Sequence, residues 1–479
     1  MMPARTIAPR ALAALGVSFI ALLAHAQTIT LEPIAQIEVS SVTEIVCYDQ
    51  VSQRALITLA SRPVIAVVEL DDPASPSIER LIDLSEYGPT VNSVACHDGL
   101  IAVAVDAQEH TNPGRVVFLT LEAGIVRAVT VGSMPDMVAF TPDGTKLLVA
   151  NEGEPSEDWS TDPEGSVTII DTQSDFQART VHLGSDHPAS EVTWLTKPGE
   201  LPGFAIEPEY IAISADSRLA FVVCQENNAV ATIDIDAGEV RRFDWLGTVD
   251  WQNAQGGIDT HPSDGEIDPK PERFVSLRQP DAIAALATTN GLRLVTANEG
   301  DPRDTWYRDG TAKVQGVWVA QSSKTGDGPP VLFGSRGVSL FDADLGLLWD
   351  GQGEIEAALR ERRQSGELSK ETAALIDERS AHRGIEPESL ATGEIDGDRV
   401  VFVGLERAGM IAAYVYDANL DALTLSGLTE IAHPGDGGPT ASPEGLAIMH
   451  AEAHAAGMNL LLACDEVHGT LTVFKILSR

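Results

Sequence analysis

The sequence predicts an all-β fold, a seven-bladed β-propeller that is closed by an N-terminal strand and carries a short helical insertion. One observation behind this prediction is an internal repeat, in which a proline is followed by an acidic residue and an alternating apolar run. Another is that each copy contains several such runs separated by turns. Repeats with three or four short strands per copy are typical of β-propellers. The predicted propeller spans residues 27–479.

The repeat is clearest between residues 136 and 171. Val138 and Phe140 share one face of a first strand, because alternate residues of a strand point the same way. Residues 141–144 (TPDG) predict a tight turn, residues 147–150 a second strand and residues 166–171 a third. Seven copies begin near residues 44, 92, 136, 209, 281, 388 and 444, and the first two are degenerate. A β-sandwich is the alternative all-β fold, but the regular spacing favours the propeller.

Three further segments complete the fold prediction. Residues 29–39 are strand-like and belong to no copy, so we expect them to pair with the last strand, residues 471–476. In the fifth copy, residues 314–319 are predicted as the third strand. Residues 350–383 are rich in Glu, Arg, Ala and Leu and predict two short helices between blades.

Residues 1–26 predict a secretory signal peptide. Arg5 and Arg10 precede an apolar stretch, and Ala24-His25-Ala26 fits the cleavage rule. The alternative is an N-terminal membrane anchor. No later stretch approaches the roughly 18 consecutive apolar residues of a membrane span. We therefore expect a secreted or periplasmic protein whose mature chain has no membrane span. Since nothing follows the last strand, we expect it to be free rather than anchored.

The formal net charge of the chain is -39 at pH 7. Nucleic acid and anionic membrane surfaces repel a chain of this charge, so neither is an expected partner. Cations are the expected ligands. The alternative is an acidic surface that only keeps the protein in solution.

The four cysteines form two equivalent pairs. Cys47 and Cys96 each lie three residues after a repeat position, whereas Cys224 and Cys464 end second-strand runs. Equivalent small positions of this kind are typical of buried core residues. Free buried thiols are therefore favoured over disulfides, although an exported chain can form disulfides.

The repeat also places ten acidic residues at equivalent positions. The first of each pair follows the proline, and the second ends the adjacent strand 16 to 22 residues later. Because antiparallel pairing returns the chain to the end where it started, we expect both sets to be neighbours around one axis. The predicted metal ligands are Asp136, Glu152, Glu209, Glu226, Asp281, Glu299, Glu388, Glu406, Glu444 and Glu466.

Ten neighbouring carboxylates repel one another, so cations, arginines or protons must neutralise them. Oxygen ligands without Cys or His favour Ca²⁺ or Mg²⁺ over zinc, and Ca²⁺ is the predicted cofactor. The alternative is that the acids accept backbone N–H bonds and latch neighbouring blades together. Four arginines either pair with the acids, which is the favoured interpretation, or flank a phosphate site. They are Arg303, Arg336, Arg383 and Arg407.

Six segments carry a family resemblance. They are MPDMVAFTPDGTKLLVANEGEPSEDWSTDPEGSVTIID from residue 134, PEYIAISADSRLAFVVCQENNAVATIDI from 208, TANEGDPRD from 296, GSRGVSLFDADLGLLWD from 334, FVGLERAGMIAAYVYD from 402 and SPEGLAI from 442. Together they resemble the choice-of-anchor I family, which is related to the mesenchyme-specific cell surface glycoproteins and carries YVTN-type propeller repeats. The resemblance covers residues 35–478 and implies a secreted or surface propeller. Some members carry alkaline-phosphatase or phytase-like labels.

The sequence therefore predicts a secreted acidic propeller that binds divalent cations and a ligand or partner, such as a phosphorylated or cell-surface molecule. Whether it is an enzyme stays open. The alternative function is a calcium-dependent phosphoesterase, in which ring carboxylates hold metals that bind phosphate and activate water. The sequence contains no nucleophile elbow, Walker loop or dinucleotide fingerprint.

Overall fold

The computed structural model describes residues 28–39, 42–156, 158, 160–184, 206–301, 311–314, 316–320, 328–431 and 441–479. The predicted signal peptide and Arg303 lie outside these residues. The described chain is mainly β-structure with two α-helices, so the all-β prediction is confirmed. Neither helix has the length and apolar character that a membrane crossing requires.

The strands fall in chain order as follows. The first seventeen are β1 (Ile29–Glu38), β2 (Val46–Asp49), β3 (Arg54–Leu59), β4 (Val64–Glu69), β5 (Ser77–Asp83), β6 (Val91–His97), β7 (Leu100–Val105), β8 (Pro113–Thr120), β9 (Gly124–Ser133), β10 (Pro135–Phe140), β11 (Lys146–Asn151), β12 (Ser166–Asp171), β13 (Gln177–His182), β14 (Ile211–Ile213), β15 (Leu219–Cys224), β16 (Ala229–Asp234) and β17 (Glu239–Trp245). The next nine are β18 (Thr248–Asp250), β19 (Val275–Leu277), β20 (Ala282–Thr288), β21 (Gly291–Asn298), β22 (Thr311–Val314), β23 (Val317–Ala320), β24 (Val331–Leu332), β25 (Gly337–Asp342) and β26 (Leu347–Asp350). After the helices α1 (Glu354–Ser365) and α2 (Lys370–Arg379) come β27 (Pro387–Ile395), β28 (Asp398–Leu405), β29 (Met410–Asp417), β30 (Ala422–Glu430), β31 (Pro443–Met449), β32 (Leu460–Asp465) and β33 (Thr470–Ser478).

Seven sheets of the described chain have four strands each, and neighbouring strands within them are antiparallel. Sheets 1 to 6 are β2–β5, β6–β9, β10–β13, β14–β17, β20-β21-β25-β26 and β27–β30. Sheet 7 has the order β31-β32-β33-β1. In it, Ile29 of β1 lies opposite Ser478 and Glu38 lies opposite Thr470 of β33. The N-terminal strand thus forms the edge of the sheet that contains the C-terminal strand.

Each sheet packs on the next through its own apolar cluster. The central strands are buried almost throughout, as in β3 and β4, because they have a neighbouring sheet on both faces. The fourth strand of sheet 1, β5, is largely exposed. Six clusters join sheets 1 to 7 in chain order. A seventh cluster joins Leu462 of sheet 7 to Ile57 of sheet 1.

The predicted third strand of the fifth copy is wrong. Of residues 314–319, the described ones belong to a separate hairpin of β22 and β23, where Val317 and Val319 pack in a small cluster with Trp251. The third position of sheet 5 is taken by β25, which pairs with β21. Both runs are short and apolar, so the local pattern does not distinguish the blade strand from the inserted hairpin.

The two helices predicted within residues 350–383 are present. Ile355 and Leu359 of α1 are buried in the apolar cluster between sheets 5 and 6, as is Ile376 of α2. Ser369 caps the N-terminus of α2, and its side chain accepts a hydrogen bond from the backbone N–H of Thr372. The insertion is therefore packed onto the sheets as part of one core.

Arg336 does not flank a phosphate site. It is 1% exposed and pairs with Glu356 of α1, with Nη1 and Oε1 3.2 Å apart. Its guanidinium also donates to the carbonyl oxygens of Asp259 at 2.7 Å, Ser380 at 2.7 Å and His382 at 2.9 Å. A buried charge needs such partners, and here they fix the segment that follows α2.

Cys47 and Cys96 form a disulfide between β2 and β6, with their Cα atoms 5.9 Å apart. The preference for free thiols is wrong for this pair, because equivalent positions on the first strands of adjacent sheets face each other. Cys224 and Cys464 are free and buried, as expected. The disulfide links sheets 1 and 2 covalently.

We expect the double substitution Cys47→Ser and Cys96→Ser to lower the free energy of unfolding by about 2–4 kcal/mol, because the bridge closes a loop and restricts the unfolded chain. The two cysteines are 49 residues apart in sequence. Denaturant unfolding measures the change, and the unsubstituted chain under reducing conditions is the control. Equal unfolding midpoints for oxidised and reduced chains would contradict the prediction.

Candidate metal centre

The two acids of each repeat lie at the same end of a sheet. In sheet 3, Pro135 at the start of the first strand lies opposite Asn151 at the end of the second. Asp136 directly follows Pro135 in the sequence, and Glu152 directly follows Asn151. The register shifts directly after Pro135, so Asp136 lies in a β-bulge, a feature that redirects a side chain out of the ladder. Sheets 6 and 7 have the same shift after their prolines.

Eight of the ten predicted acids come together in three groups, within which the carboxylate oxygens lie within 4.8 Å of one another. We name each group after its middle member. The Glu209 group is Glu152–Glu209–Glu226, the Glu388 group is Glu299–Glu388–Glu406, and the Glu444 group is Glu406–Glu444–Glu466. Each group combines the second acid of one sheet with both acids of the next sheet. This is the arrangement that equivalent repeat positions predict for neighbouring blades.

Asp136 and Asp281 belong to none of the three groups. Aspartate is one methylene shorter than glutamate, so its carboxylate stays nearer the backbone. Both still interact electrostatically with other acids. Burial raises the pKa of Asp136 to about 7, and the nearby carboxylate of Glu154 adds to the shift. Burial and then Asp136 raise the pKa of Asp281 to about 7. They therefore interact with the other acids from outside the three groups.

Burial is the largest cause of raised pKa values in the Glu209 group. It disfavours the charged form of Glu209, and Glu226 repels that form further, so the pKa of Glu209 lies well above its usual value. Burial and nearby carboxylates raise the pKa values of Glu152 and Glu226 in the same way. A cation bound among these side chains would replace the protons that this environment favours.

The Glu388 and Glu444 groups are partly neutralised by arginines. Arg383 Nη1 lies 2.8 Å from Glu299 Oε1, and Arg407 Nη1 lies 2.6 Å from Glu406 Oε1. Ser442 also donates to Glu406, at 3.1 Å. Arg383 and Arg407 therefore pair with ring acids, which is the interpretation that the sequence favoured over a phosphate site.

Glu386 is a site residue that the sequence prediction missed. It is fully buried and pairs with Arg379, Arg383 and Arg407. Burial alone would raise the pKa of Glu386, but the three arginines outweigh it and hold that pKa below its usual value. A signal was present, since the tripeptide Glu-Pro-Glu occurs at residues 386–388 and also at 207–209.

Glu44 is a second missed acid. It occupies the first-acid position of the degenerate first copy, and that alignment could have found it. Burial raises the pKa of Glu44 to about 7, and Glu466 and Asp136 add to the shift. Sheet 1 therefore contributes a carboxylate beside sheet 7.

The Glu209 group differs from the other two because no arginine pairs with it in the described part of the chain. Glu209 is 9% exposed, and its Oε2 and that of Glu226 have no hydrogen-bond partner. Glu154 and Glu207 lie close enough to raise the pKa of Glu152 further. The group thus combines unpaired buried oxygens with a surplus of negative charge, and a cation fits both.

Two solved structures have a similar fold but share little sequence identity with the chain. Hydrazine synthase of Kuenenia stuttgartiensis aligns with a TM-score of 0.52 at 12% identity, over 92% of this chain and 97% of that one. The WD40 domain of Toxoplasma gondii coronin aligns with a TM-score of 0.52 at 10% identity, over 94% of this chain and 86% of that one. WD40 domains are β-propellers, so this likeness shows a β-propeller fold. No curated protein matches the chain in sequence.

The family match agrees with the segments that carry the resemblance. Residues 44–324 and 319–419 match the choice-of-anchor I domain. The match includes five of the seven four-stranded sheets in full, the helical insertion and all of the Glu209 and Glu388 groups. The chain belongs to the choice-of-anchor I domain family.

Proposed function

We propose that the chain is a secreted β-propeller that binds a divalent cation, Ca²⁺ in the first place, at the Glu209 group. The observation that supports this most strongly is the pair of buried oxygens, Glu209 Oε2 and Glu226 Oε2, without a hydrogen-bond partner. An unpaired buried carboxylate is costly to a folded protein. A bound cation would remove that cost and the repulsion within the group together.

The dimensions and chemistry of the group suit Ca²⁺. All its ligand atoms would be carboxylate oxygens, which Ca²⁺ binds at 2.3–2.6 Å. Two oxygens on opposite sides of such an ion are about 4.8 Å apart by this geometry, and the oxygens of the group lie within 4.8 Å of one another. Ca²⁺ takes 6–8 oxygen ligands, of which the three carboxylates of the group can supply up to six when each binds through both oxygens.

The seven four-stranded sheets are, in this proposal, the blades of one closed ring. Successive sheets share apolar clusters, and the cluster with Leu462 and Ile57 joins the last sheet to the first. The pairing of β1 with β33 supports closure, because it joins the two ends of the propeller in one blade. The acids of the ring would then surround a central channel. An experimental structure with six or eight blades would contradict this.

Cation binding is favoured over phosphoester hydrolysis. The arginines that could bind a phosphate, Arg383 and Arg407, already pair with Glu299, Glu386 and Glu406. The Glu209 group, in turn, has no described arginine beside it to orient a phosphate. A metal-binding propeller without hydrolytic activity therefore accounts for the pairings better than the phosphoesterase alternative.

Direct measurement of bound Ca²⁺ tests the proposal. We expect equilibrium dialysis with elemental analysis to find one Ca²⁺ per chain, and Glu209→Gln to lower the affinity at least tenfold. The matched control is Glu239→Gln, which makes the same chemical change at an exposed position of β17. No bound Ca²⁺ in the unsubstituted chain, or equal affinity in both variants, would contradict the site.

A further inference from the structure

A cavity of about 490 Å³ lies at the end of sheet 6 that is opposite to the acids of the repeat. Thr28, which precedes β1, and Thr289, in the turn between β20 and β21, border it. Asp398, the first residue of β28, also lines it, whereas Glu406 follows the last residue of that strand. Roughly 23 Å of extended strand therefore separates the cavity from the acids. The cavity is a separate site, and its volume suits a small organic ligand.

The polar lining of the cavity carries an excess of negative charge. Five of the lining side chains bear hydroxyl groups, three bear carboxylates and one bears a guanidinium. The guanidinium belongs to Arg399, which pairs with Glu394 and donates to the carbonyl oxygen of Ala287 at 2.6 Å. The carboxylates of Asp398 and Asp417 thus outnumber the remaining cations of the lining. A positively charged ligand is favoured in such a cavity.

Asp398 is the acid of the lining that needs a partner. Its Oδ2 is buried and has no hydrogen-bond partner among the described residues, which is costly for a polar atom. Asp398 and Asp417 lie on the same face of sheet 6, because Val400 lies opposite Val415 and alternate residues share a face. Asp417 Oδ1 already accepts a hydrogen bond from the backbone N–H of Asn419 at 2.8 Å. A ligand with N–H or O–H donors would satisfy Asp398.

The wall of the cavity at Tyr416 is fixed by a network of hydrogen bonds. The Tyr416 hydroxyl donates to Asp421 Oδ1 at 2.6 Å, and Arg293 donates to both carboxylate oxygens of Asp421 at 2.7 Å. Asn290 Nδ2 donates to the Tyr416 hydroxyl at 3.0 Å and to the carbonyl oxygen of Ala418 at 2.8 Å. A wall that is already ordered lowers the entropic cost of binding a ligand.

We propose that this cavity binds the primary ammonium group of a small organic ligand, with Asp398 as its carboxylate partner. An ammonium group is a compact cation with three N–H donors. It can therefore satisfy Asp398 Oδ2 and also donate to a hydroxyl on the same face, such as that of Thr424, which lies opposite Val415. Thr289 and Asn419 of the lining are exposed, so a ligand can enter from solvent. The proposal is independent of the cation site at the Glu209 group.

A free polyamine and a lysine side chain both offer this ammonium group, and calorimetric titration of the full chain distinguishes them. The probes are putrescine and Nα-acetyl-lysine amide, with butane-1,4-diol as the uncharged counterpart of putrescine. We expect at least one amine to bind and the diol not to bind. Asp398→Asn should weaken the binding of that amine by about tenfold or more, because a hydrogen bond to a charged group is lost.

Two variants control for the loss of charge and for binding elsewhere. Asp396→Asn makes the same chemical change in the exposed turn before β28, at a φ of 51° that asparagine adopts readily. Glu209→Gln removes an acid of the ring. Both variants should bind the amine as the unsubstituted chain does. Loss of binding in Glu209→Gln would place the amine at the acid ring and overturn the proposal.

A second substitution keeps the test decisive if Asp398→Asn does not fold. Thr424→Trp leaves the charge unchanged and fills the cavity from an exposed position of β30, so it should abolish binding. Binding of putrescine alone assigns the site to a free polyamine, and binding of the lysine amide assigns it to a lysine side chain. Binding of neither amine, equal binding of putrescine and the diol, or unchanged affinity in Thr424→Trp overturns the proposal.

Discussion

In EDTA, the chain with Glu209→Gln should melt at a higher temperature than the unsubstituted chain, and in millimolar Ca²⁺ the order should reverse. Without a cation, burial and Glu226 hold Glu209 in its protonated form in the folded chain, whereas the unfolded chain releases this proton at neutral pH. The neutral Gln removes the cost of that proton uptake, which stabilises the fold. With Ca²⁺, the unsubstituted chain gains RT ln(1 + [Ca²⁺]/Kd), about 2.7 kcal/mol at a hundredfold excess over Kd. The variant loses a ligand and most of that gain.

Screening of surface charge must be separated from binding at the site. The chain has a net charge of -39, so any salt stabilises it to some extent by screening. NaCl at the ionic strength of the Ca²⁺ buffer is therefore the control, together with Glu239→Gln, which should follow the unsubstituted chain. Melting curves that coincide in NaCl and Ca²⁺ would show that the ring acids are latches.

The metal-free chain should lose stability as the pH rises from 3.8 to about 7, opposite to the usual behaviour of acidic groups in salt bridges. Burial raises the pKa values of Asp136 and Asp281 from 3.8 to about 7. Between these values the unfolded chain has released protons that the folded chain still binds. Stability then falls with pH, by an amount on the order of a few kcal/mol for coupled groups of this kind.

Two features define the pH window of this loss. It begins above 3.8, the ordinary value for aspartate, and is complete for Asp136 and Asp281 once the pH exceeds about 7. Glu386 acts in the opposite direction, because its pKa is lowered, and its contribution disappears only at more acidic pH. Denaturant unfolding in EDTA at constant ionic strength measures the slope. Saturating Ca²⁺ should flatten it, and a rise in stability over this range without metal would refute the prediction.

The repeat predicted the ring acids because all the necessary information is local. Each proline–acid pair lies at the start of an alternating run, and antiparallel pairing brings the next acid back to it. The grouping of Glu152 with Glu209 and Glu226 follows once blades are placed in order. The shorter reach of Asp136 and Asp281 could also be read from residue type. This part of the site is a consequence of periodicity.

The rest of the site depends on contacts between distant segments. Arg383 belongs to an insertion, and its position follows from the buried bonds of Arg336, which no repeat pattern encodes. The cysteines show the same limit. The local sequence around Cys47 and Cys96 is typical of buried core residues, and only the adjacency of sheets 1 and 2 in the fold brings the two together as a disulfide. In sheet 5, β25 rather than the run at residues 314–319 forms the third strand, because β25 is the run that pairs with β21. The local alternation of apolar residues predicts none of these three features, namely the position of Arg383, the disulfide and the third strand of sheet 5.

The pairing of β1 with β33 has a consequence for the order in which the chain can complete its fold. β1 precedes every other strand of the described chain and β33 follows them all. Sheets 1 to 6 can form as their strands are synthesised, but sheet 7 must wait until β33 has been synthesised. Such long-range pairing is slow to form. We therefore expect sheet 7 to be the last of the seven four-stranded sheets of the described chain to form.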